Sequence, residues 1–114
     1  MIDRAAVVGC CRALTGATEG YPFGPDVLVF KVSGKIFAIL GEADVSLKCD
    51  PLLATALREE FAAVSAGYHL NKRHWNTVRL DGSVPDDALR DWIQDSYELA
   101  VASLTRAQRA ALGH

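Results

Sequence analysis

Hydrophobic positions at the start of the chain recur at helical spacing. They follow at i, i+3, i+4 and i+7 and so share one face of a helix: Val7, Cys10, Cys11 and Leu14. The sequence therefore predicts a first helix over residues 3–14. Glycine and proline punctuate residues 15–26, which are expected to form a surface loop anchored by Tyr21 and Phe23.

Two runs rich in β-branched and aromatic residues come next, at 27–32 and 35–40, and Ser33-Gly34 between them suits a tight hairpin. A plain two-residue turn predicts these opposite pairs: Val32 with Lys35, Phe30 with Phe37, and Leu28 with Ile39. The face with both phenylalanines is the expected core face. The other face would carry Val27, Val29, Lys31, Ile36, Ala38 and Leu40.

A third alternating run at 44–49 predicts a strand with Val45, Leu47 and Cys49 inward and Ser46 and Lys48 outward. The next helix is expected to begin at Asp50 as its cap, with proline in its first turn. Its predicted buried stripe is Leu53, Ala54, Leu57 and Phe61. Residues 62–71 are expected to form a loop.

The run at 74–80 predicts a fourth strand that turns Trp75, Thr77 and Arg79 outward. A last helical region is expected from Pro85 to Leu112, broken near Asp95-Ser96, with Leu89, Trp92 and Ile93 buried. The order αβββαβα(α) indicates an α+β fold, with an antiparallel sheet of four to five strands covered by helices.

Composition fits one domain over residues 1–114, because 114 residues with 50% hydrophobic content can bury a single core. No apolar run approaches the roughly 20 residues that span a bilayer, so no membrane association is expected. The three cysteines are an odd set with two adjacent members, which favours reduced thiols and a cytoplasmic location.

The formal net charge of −2 is unevenly distributed along the chain. Residues 31–79 hold seven basic and five acidic groups, whereas residues 80–114 hold three and six. If the predicted register holds, one sheet face carries Lys31, Lys48, Trp75 and Arg79. Such a face could meet phosphates while the tryptophan stacks on a base, but the same cations could equally keep a sheet edge soluble while the tryptophan fills a core.

Motifs for catalysis or for metal binding are absent from the sequence. There is no Gly-x-Ser-x-Gly, no dinucleotide fingerprint and no phosphate-binding loop. Cys49, His69 and His74 could converge in space, yet no Cys-x-x-Cys or His-x-x-x-His spacing places two ligands on one element. We therefore expect no catalytic residues, no metal and no cofactor.

A series of short motifs nevertheless has a recognisable order. It runs through Pro22-Phe23-Gly24, Val29-Phe30-Lys31-Val32, Gly34-Lys35-Ile36-Phe37-Ala38, Leu47-Lys48-Cys49-Asp50-Pro51, residues 67–75, Val84-Pro85 and Ser96-Tyr97. In this order and spacing the series resembles the MmcQ/YjbR family. The departure is Leu70, where a methionine is frequent, and this swap nearly conserves volume.

The resemblance implies an α+β YjbR-like fold with a double-wing arrangement, on whose likeness family members are labelled DNA-binding. Positions that match the family signature are Lys48, His69, Asn71, Lys72, Arg73, His74 and Trp75. Together with Lys31 and Arg79 they form the predicted nucleic-acid surface, with weak and salt-sensitive DNA binding by a monomer or homodimer. One alternative is a protein-interaction module or homodimer without nucleic acid, seamed by Val27, Val29, Ile36 and Leu40. The other is a small-ligand binder or enzyme using His69 or His74.

Overall fold

The computed structural model describes residues 2–67 and 70–113. Along these residues the elements are α1 (Arg4–Arg12), β1 (Ala17–Gly20), β2 (Leu28–Val32), β3 (Lys35–Leu40), β4 (Asp44–Lys48), α2 (Pro51–Glu60), β5 (Val64–Ala66), β6 (Trp75–Arg79), α3 (Asp86–Ala102) and α4 (Arg106–Ala111). The strands form one antiparallel sheet in the order β1-β2-β3-β4-β6-β5. The α+β architecture is thus confirmed, with six described strands rather than four to five.

Helix α3 lies along β3 and β4 and covers one face of the sheet. The core between them is apolar and fully buried at its centre, with Phe30, Phe37, Leu40, Leu89 and Ile93 among its largest members. The ring of Phe37 meets that of Tyr97 edge-on, with centroids 5.4 Å apart. Burial of these side chains is what holds α3 against the sheet.

The hairpin between β2 and β3 differs from the predicted one by a bulge. Ser33 and Gly34 form the turn, both with positive φ as the two-residue hairpin requires, and Val32 does pair with Lys35. The register then shifts: Phe30 faces Ala38 and Leu28 faces Leu40, so the predicted partners Phe37 and Ile39 were wrong.

The shift changes which side chains of β3 face the core. Phe37 is the extra residue of the bulge, and from there onward the strand alternates in the opposite sense. Ala38 and Leu40 are therefore buried in the core, whereas Ile39 lies on the other face beside Val29. Of the predicted seam residues, Leu40 in the core and Val29, which is 1% exposed on the other face, cannot contribute to a surface seam.

Two short strands lie in segments expected to be loops. Strand β1 pairs with β2 at one edge of the sheet, where the Arg12 guanidinium binds both carboxylate oxygens of Glu19 at 2.6 and 2.7 Å. That hydrogen-bonded pair lowers the pKa of Glu19. Strand β5 pairs with β6 at the opposite edge over only three residues. Edge strands this short and polar carry little periodic signal.

Helix starts follow the predicted chemistry more closely than helix ends. The side chains of Asp3, Asp50 and Thr105 each accept hydrogen bonds from the first turn of a helix, and Pro51 opens α2 as expected. The C-terminal break lies between Ala102 and Arg106 instead of near Asp95-Ser96.

Burial of the predicted helical stripes is partial. In α2, Ala54 and Leu57 are buried, but Leu53 remains 40% exposed; in α3, Leu89 and Ile93 are buried and Trp92 is half-buried. Trp92 packs edge-on against Phe61 at 5.2 Å. Within the described residues, no helix has the length and apolar character needed to cross a membrane.

Candidate functional site

The sheet face turned away from α3, here called the outer face, is organised in rows across the strands. The central row joins Val29, Ile39, Ser46 and Thr77, each paired with the next across β2, β3, β4 and β6. Since side chains alternate along a strand, residues two positions away share this face. Lys31, Lys48 and Trp75 therefore lie to one side of the central row, and Asp44 and Arg79 to the other.

Cations gather at the first of these two sides. Lys48 lies directly opposite Trp75 across β4 and β6. Lys31 lies on β2, two strands away from Lys48, and pairs with Ile36 on β3. Lys72 and Arg73, both exposed, lie three and two residues before Trp75, in the turn that leads into β6. We call these four cations, Lys31 and Lys48 on the outer face and Lys72 and Arg73 in the turn before β6, the basic end.

A hydrogen-bonded turn fixes the chain before Trp75. The Asn71 carbonyl accepts from the backbone N–H groups of His74 and Trp75 at 3.2 and 3.0 Å, and its side-chain oxygen accepts from Arg73 N–H at 3.0 Å. Asn71 thus shapes the turn, in addition to the surface role the sequence suggests. The Lys72 ammonium donates to the Gly67 carbonyl at 3.2 Å, which leaves Arg73 as the more available cation of the pair.

Arg58 and His74 tie this turn to the rest of the fold. The Arg58 guanidinium donates to the buried Asn76 side chain at 2.7 Å and also to the Lys72 carbonyl. The half-buried His74 accepts at its carbonyl from Cys49 N–H at 2.7 Å. The basic end is therefore held on a rigid base although its charged tips are in water.

Ser96 of α3 positions Lys48 from below. Ala38 pairs with Leu47, so Phe37 and Lys48 come next in the same register. The buried Ser96 hydroxyl stands between them, donating to the Phe37 carbonyl at 2.5 Å and accepting from Lys48 N–H at 2.8 Å. The Ser96 hydroxyl thus links β3 to β4 beyond the bulge. The neighbouring Tyr97 hydroxyl also has a structural contact, because it donates to the Thr15 carbonyl at 2.5 Å.

The other side of the outer face is acidic. Arg79 is paired in register with Asp44 and forms an ion pair with Asp81, with 3.6 Å between Nε and Oδ2. Asp26 and Glu42, both exposed, line a neighbouring cavity together with Arg4. We call Asp26, Glu42, Asp44 and Asp81 the acidic end. Arg79 therefore lies on the predicted face, but at the end opposite to the basic end.

An apolar trough of about 470 Å³ lies between the two ends. Its lining residues come from the sheet and from two loops: Phe23, Val27, Ile39, Gly41, Asp44, Ser46, Leu70 and Thr77. The hydroxyl groups of Ser46 and Thr77 are hydrogen-bonded at 2.8 Å on its floor. Phe23 is 61% and Tyr21 56% exposed, so neither anchors its loop in the core as expected, and Phe23 instead borders the trough.

Sequence reasoning missed this trough for a definite reason. Without the bulge, Ile39 was assigned to the core, and Phe23 and Leu70 belong to loops whose position no periodicity reveals. The usable signal was an aromatic residue between Pro22 and Gly24 in an exposed loop.

Features expected of a catalytic or metal centre are weak in the described residues. Among residues 2–67 and 70–113, no group of three or more His, Cys, Asp or Glu side chains could hold a metal ion. His69 lies outside the described residues. Burial raises the pKa of the Cys11 thiol to about 12 and also raises that of Cys49, which disfavours the reactive thiolate form. The cavity beneath α2 and α3 is only about 20 Å³.

A family model described as YjbR matches residues 12–99 of the chain. The protein belongs to the YjbR family. Over 106 residues it is 38% identical to the uncharacterized protein YjbR of Escherichia coli K12, covering 90% of each chain. It is 37% identical over 90 residues to the uncharacterized protein YbdF of E. coli O157:H7, covering 75% of this chain and 74% of that one.

Solved structures extend the likeness to the fold. The crystal structure of Deinococcus radiodurans protein DR2400, assigned to the domain DUF419, superposes with a TM-score of 0.92 at 35% identity, covering 99% of this chain and 89% of that chain. A Pseudomonas syringae protein superposes with a TM-score of 0.77 at 27% identity, covering 86% of this chain and 98% of the other. The likeness to the first of these structures therefore extends over nearly the whole chain.

Proposed function

We propose that this YjbR-family protein is a non-enzymatic nucleic-acid-binding protein that contacts phosphates through its basic end. One observation carries the proposal: Lys48 and Trp75 are direct cross-strand neighbours, with Lys31 in line on the same face. Such a row offers cations for phosphates and an aromatic ring beside them.

The strength of this binding is limited by the charge around it. The acidic end lies a few residues away on the same strands, and the chain as a whole is at −2. Non-specific contacts of this kind have dissociation constants of about 10⁻⁴ to 10⁻⁶ M at physiological salt. The basic end is built from strands and a turn and presents no helix to the major groove, so weak binding with little sequence preference is the expected mode.

The contacts of the Ser96 and Tyr97 hydroxyl groups support a non-enzymatic role. Ser96 is fully buried and bound to backbone groups on both sides, and the Tyr97 hydroxyl is bound to a carbonyl. A nucleophile needs access to substrate, which the fully buried Ser96 lacks. His74 does not line the cavity beneath α2 and α3 or the apolar trough.

Fluorescence anisotropy with a labelled DNA duplex and a labelled single strand at low salt tests the proposal. Lys48→Glu and Arg73→Glu should each weaken binding several-fold, because each replaces attraction to phosphate with repulsion. Arg106→Glu is the matched control, since Arg106 is an exposed cation on α4 rather than on the sheet. Binding at low salt is tighter than at physiological salt, so absence of binding to both probes at tens of micromolar protein, about the middle of that range, would overturn the proposal. Equal losses in all three variants would also overturn it.

A second candidate is self-association through the same face. The outer face has a basic end and an acidic end with an apolar trough between them. Two copies related by a two-fold axis would place opposite charges against each other and cover Phe23. Sedimentation velocity separates the two candidates. Self-association is favoured if the protein is a stable dimer and if Phe23→Asp dissociates this dimer without weakening DNA binding.

A further inference from the structure

We propose that the apolar trough seats an unpaired nucleobase, so that the outer face binds single strands in preference to duplexes. This inference rests on the proposed function and adds the form of nucleic acid that is recognised. It starts from the trough itself, which at about 470 Å³ falls within the size range of small-molecule sites.

The trough and the basic end are neighbours on the same strands. Ser46 in the trough is two residues from Lys48 along β4, and Thr77 is two residues from Trp75 along β6. Two residues of a strand advance about 7 Å. A nucleotide whose phosphate meets Lys48 therefore has its base within reach of the trough, on the same face of the sheet.

The lining suits the two sides of a base. Phe23, Val27, Ile39 and Leu70 offer apolar surface to the flat face, and the exposed ring of Phe23 can stack on it. The Ser46 hydroxyl and the Asp44 carboxylate offer polar partners to the edge. A carboxylate repels phosphate but accepts hydrogen bonds from exocyclic amines, so the acidic border favours a base and not the backbone here.

A duplex cannot use the trough in this way. Its bases are stacked and paired, and only their edges are reachable from the grooves. Single strands can splay a base outward onto an aromatic side chain at little cost. The cations of the basic end do not favour single strands, because a duplex has the higher charge density, and the Phe23→Ala variant separates a base in the trough from a base stacked on Trp75.

Three probes of equal length separate base from phosphate: single-stranded oligodeoxycytidine, the same strand with abasic sites throughout, and a duplex containing it. At fixed salt the cytidine strand should bind at least about fivefold more tightly than the abasic strand. Phe23→Ala should remove most of this difference while leaving abasic binding unchanged. Leu52→Ala is the matched control, because Leu52 is 84% exposed on α2 and lies away from the trough.

The outcomes distinguish this inference from the proposed function. Equal binding of the cytidine, abasic and duplex probes would refute the base site and leave phosphate binding standing. A base-dependent preference that survives Phe23→Ala would also overturn the assignment to the trough. Failure of all three probes to bind would instead remove the proposed function on which the inference depends. Since Phe23 is 61% exposed, its truncation should leave the circular dichroism spectrum unchanged.

Discussion

Replacing Ser96 by alanine tests the contact that continues the sheet beyond its bulge. The hydroxyl is fully buried, donates to the Phe37 carbonyl at 2.5 Å and accepts from Lys48 N–H at 2.8 Å. Alanine fits the same space and the same helix, so the substitution removes these two hydrogen bonds and little else. Both backbone groups would then lack a partner in a region where water has little access.

The magnitude follows from the number of groups left unpaired. A buried donor or acceptor without a partner costs about 1–3 kcal/mol. Because the Lys48 side of the bridge is only partly buried, we expect a total loss of about 2–4 kcal/mol for the Ser96→Ala variant. For a domain near 100 residues, this corresponds to a melting temperature lower by about 8–16 °C.

Urea denaturation followed by tryptophan fluorescence measures this loss as a lower midpoint at an unchanged slope. Ser103→Ala is the control, because Ser103 makes one hydrogen bond, to the Ala100 carbonyl at 2.7 Å, at the exposed end of α3. Hydrogen exchange should show faster exchange of the Lys48 amide in Ser96→Ala alone. A loss below about 1 kcal/mol with that amide still protected would show that the hydroxyl does not bridge the strands.

Three further substitutions test local packing and charge. Gly67→Ala should destabilise the fold by about 1–3 kcal/mol in chemical denaturation, since a Cβ there would lie 2.8 Å from that of Trp75. Gly9→Ala, with no atom within 4 Å of the new Cβ, should instead stabilise α1 by about 0.5–1 kcal/mol. Asp95→Asn should raise the melting temperature at pH 7. Burial, and then two neighbouring carboxylates on α3, raise the pKa of Asp95. Its charged form therefore destabilises the folded state above that pKa, and the stability gained by Asp95→Asn should fade as the pH falls through the pKa.

Local chemistry made the hairpin and the helix starts predictable, whereas tertiary contacts decided the rest. Ser33-Gly34 act through their own backbone and Asp50 through a side-chain cap on residues two and three positions later, so these signals survive in a single sequence. The bulge at Phe37 depends on Tyr97 and Ser96, which are about 60 residues further along the chain. No pattern within β3 could reveal it.

The helix break illustrates the same limit. A serine after an aspartate favours a helix end when its hydroxyl competes for nearby backbone groups. Here the Ser96 hydroxyl bonds to the sheet instead, so α3 continues to Ala102 and a capping box at Thr105 starts α4.

The candidate surface was predictable in part. Strand alternation alone places four residues on one face: Lys31, Lys48, Trp75 and Arg79. Their separation into two ends depends on Asp44 and Asp81, which lie beside Arg79.

The charge separation on the outer face sets a limit on binding that can be measured. The row from Lys31 on β2 to Trp75 on β6 crosses three strand spacings, or about 14 Å. One strand of B-DNA presents about four phosphates over that length, which equals the number of cations at the basic end. The slope of log K against log salt should therefore be no steeper than about −3.6 for a duplex, and Lys48→Glu should make it shallower. A steeper slope would mean that cations elsewhere also bind phosphate, for example on α4, and that the basic end is not the principal contact.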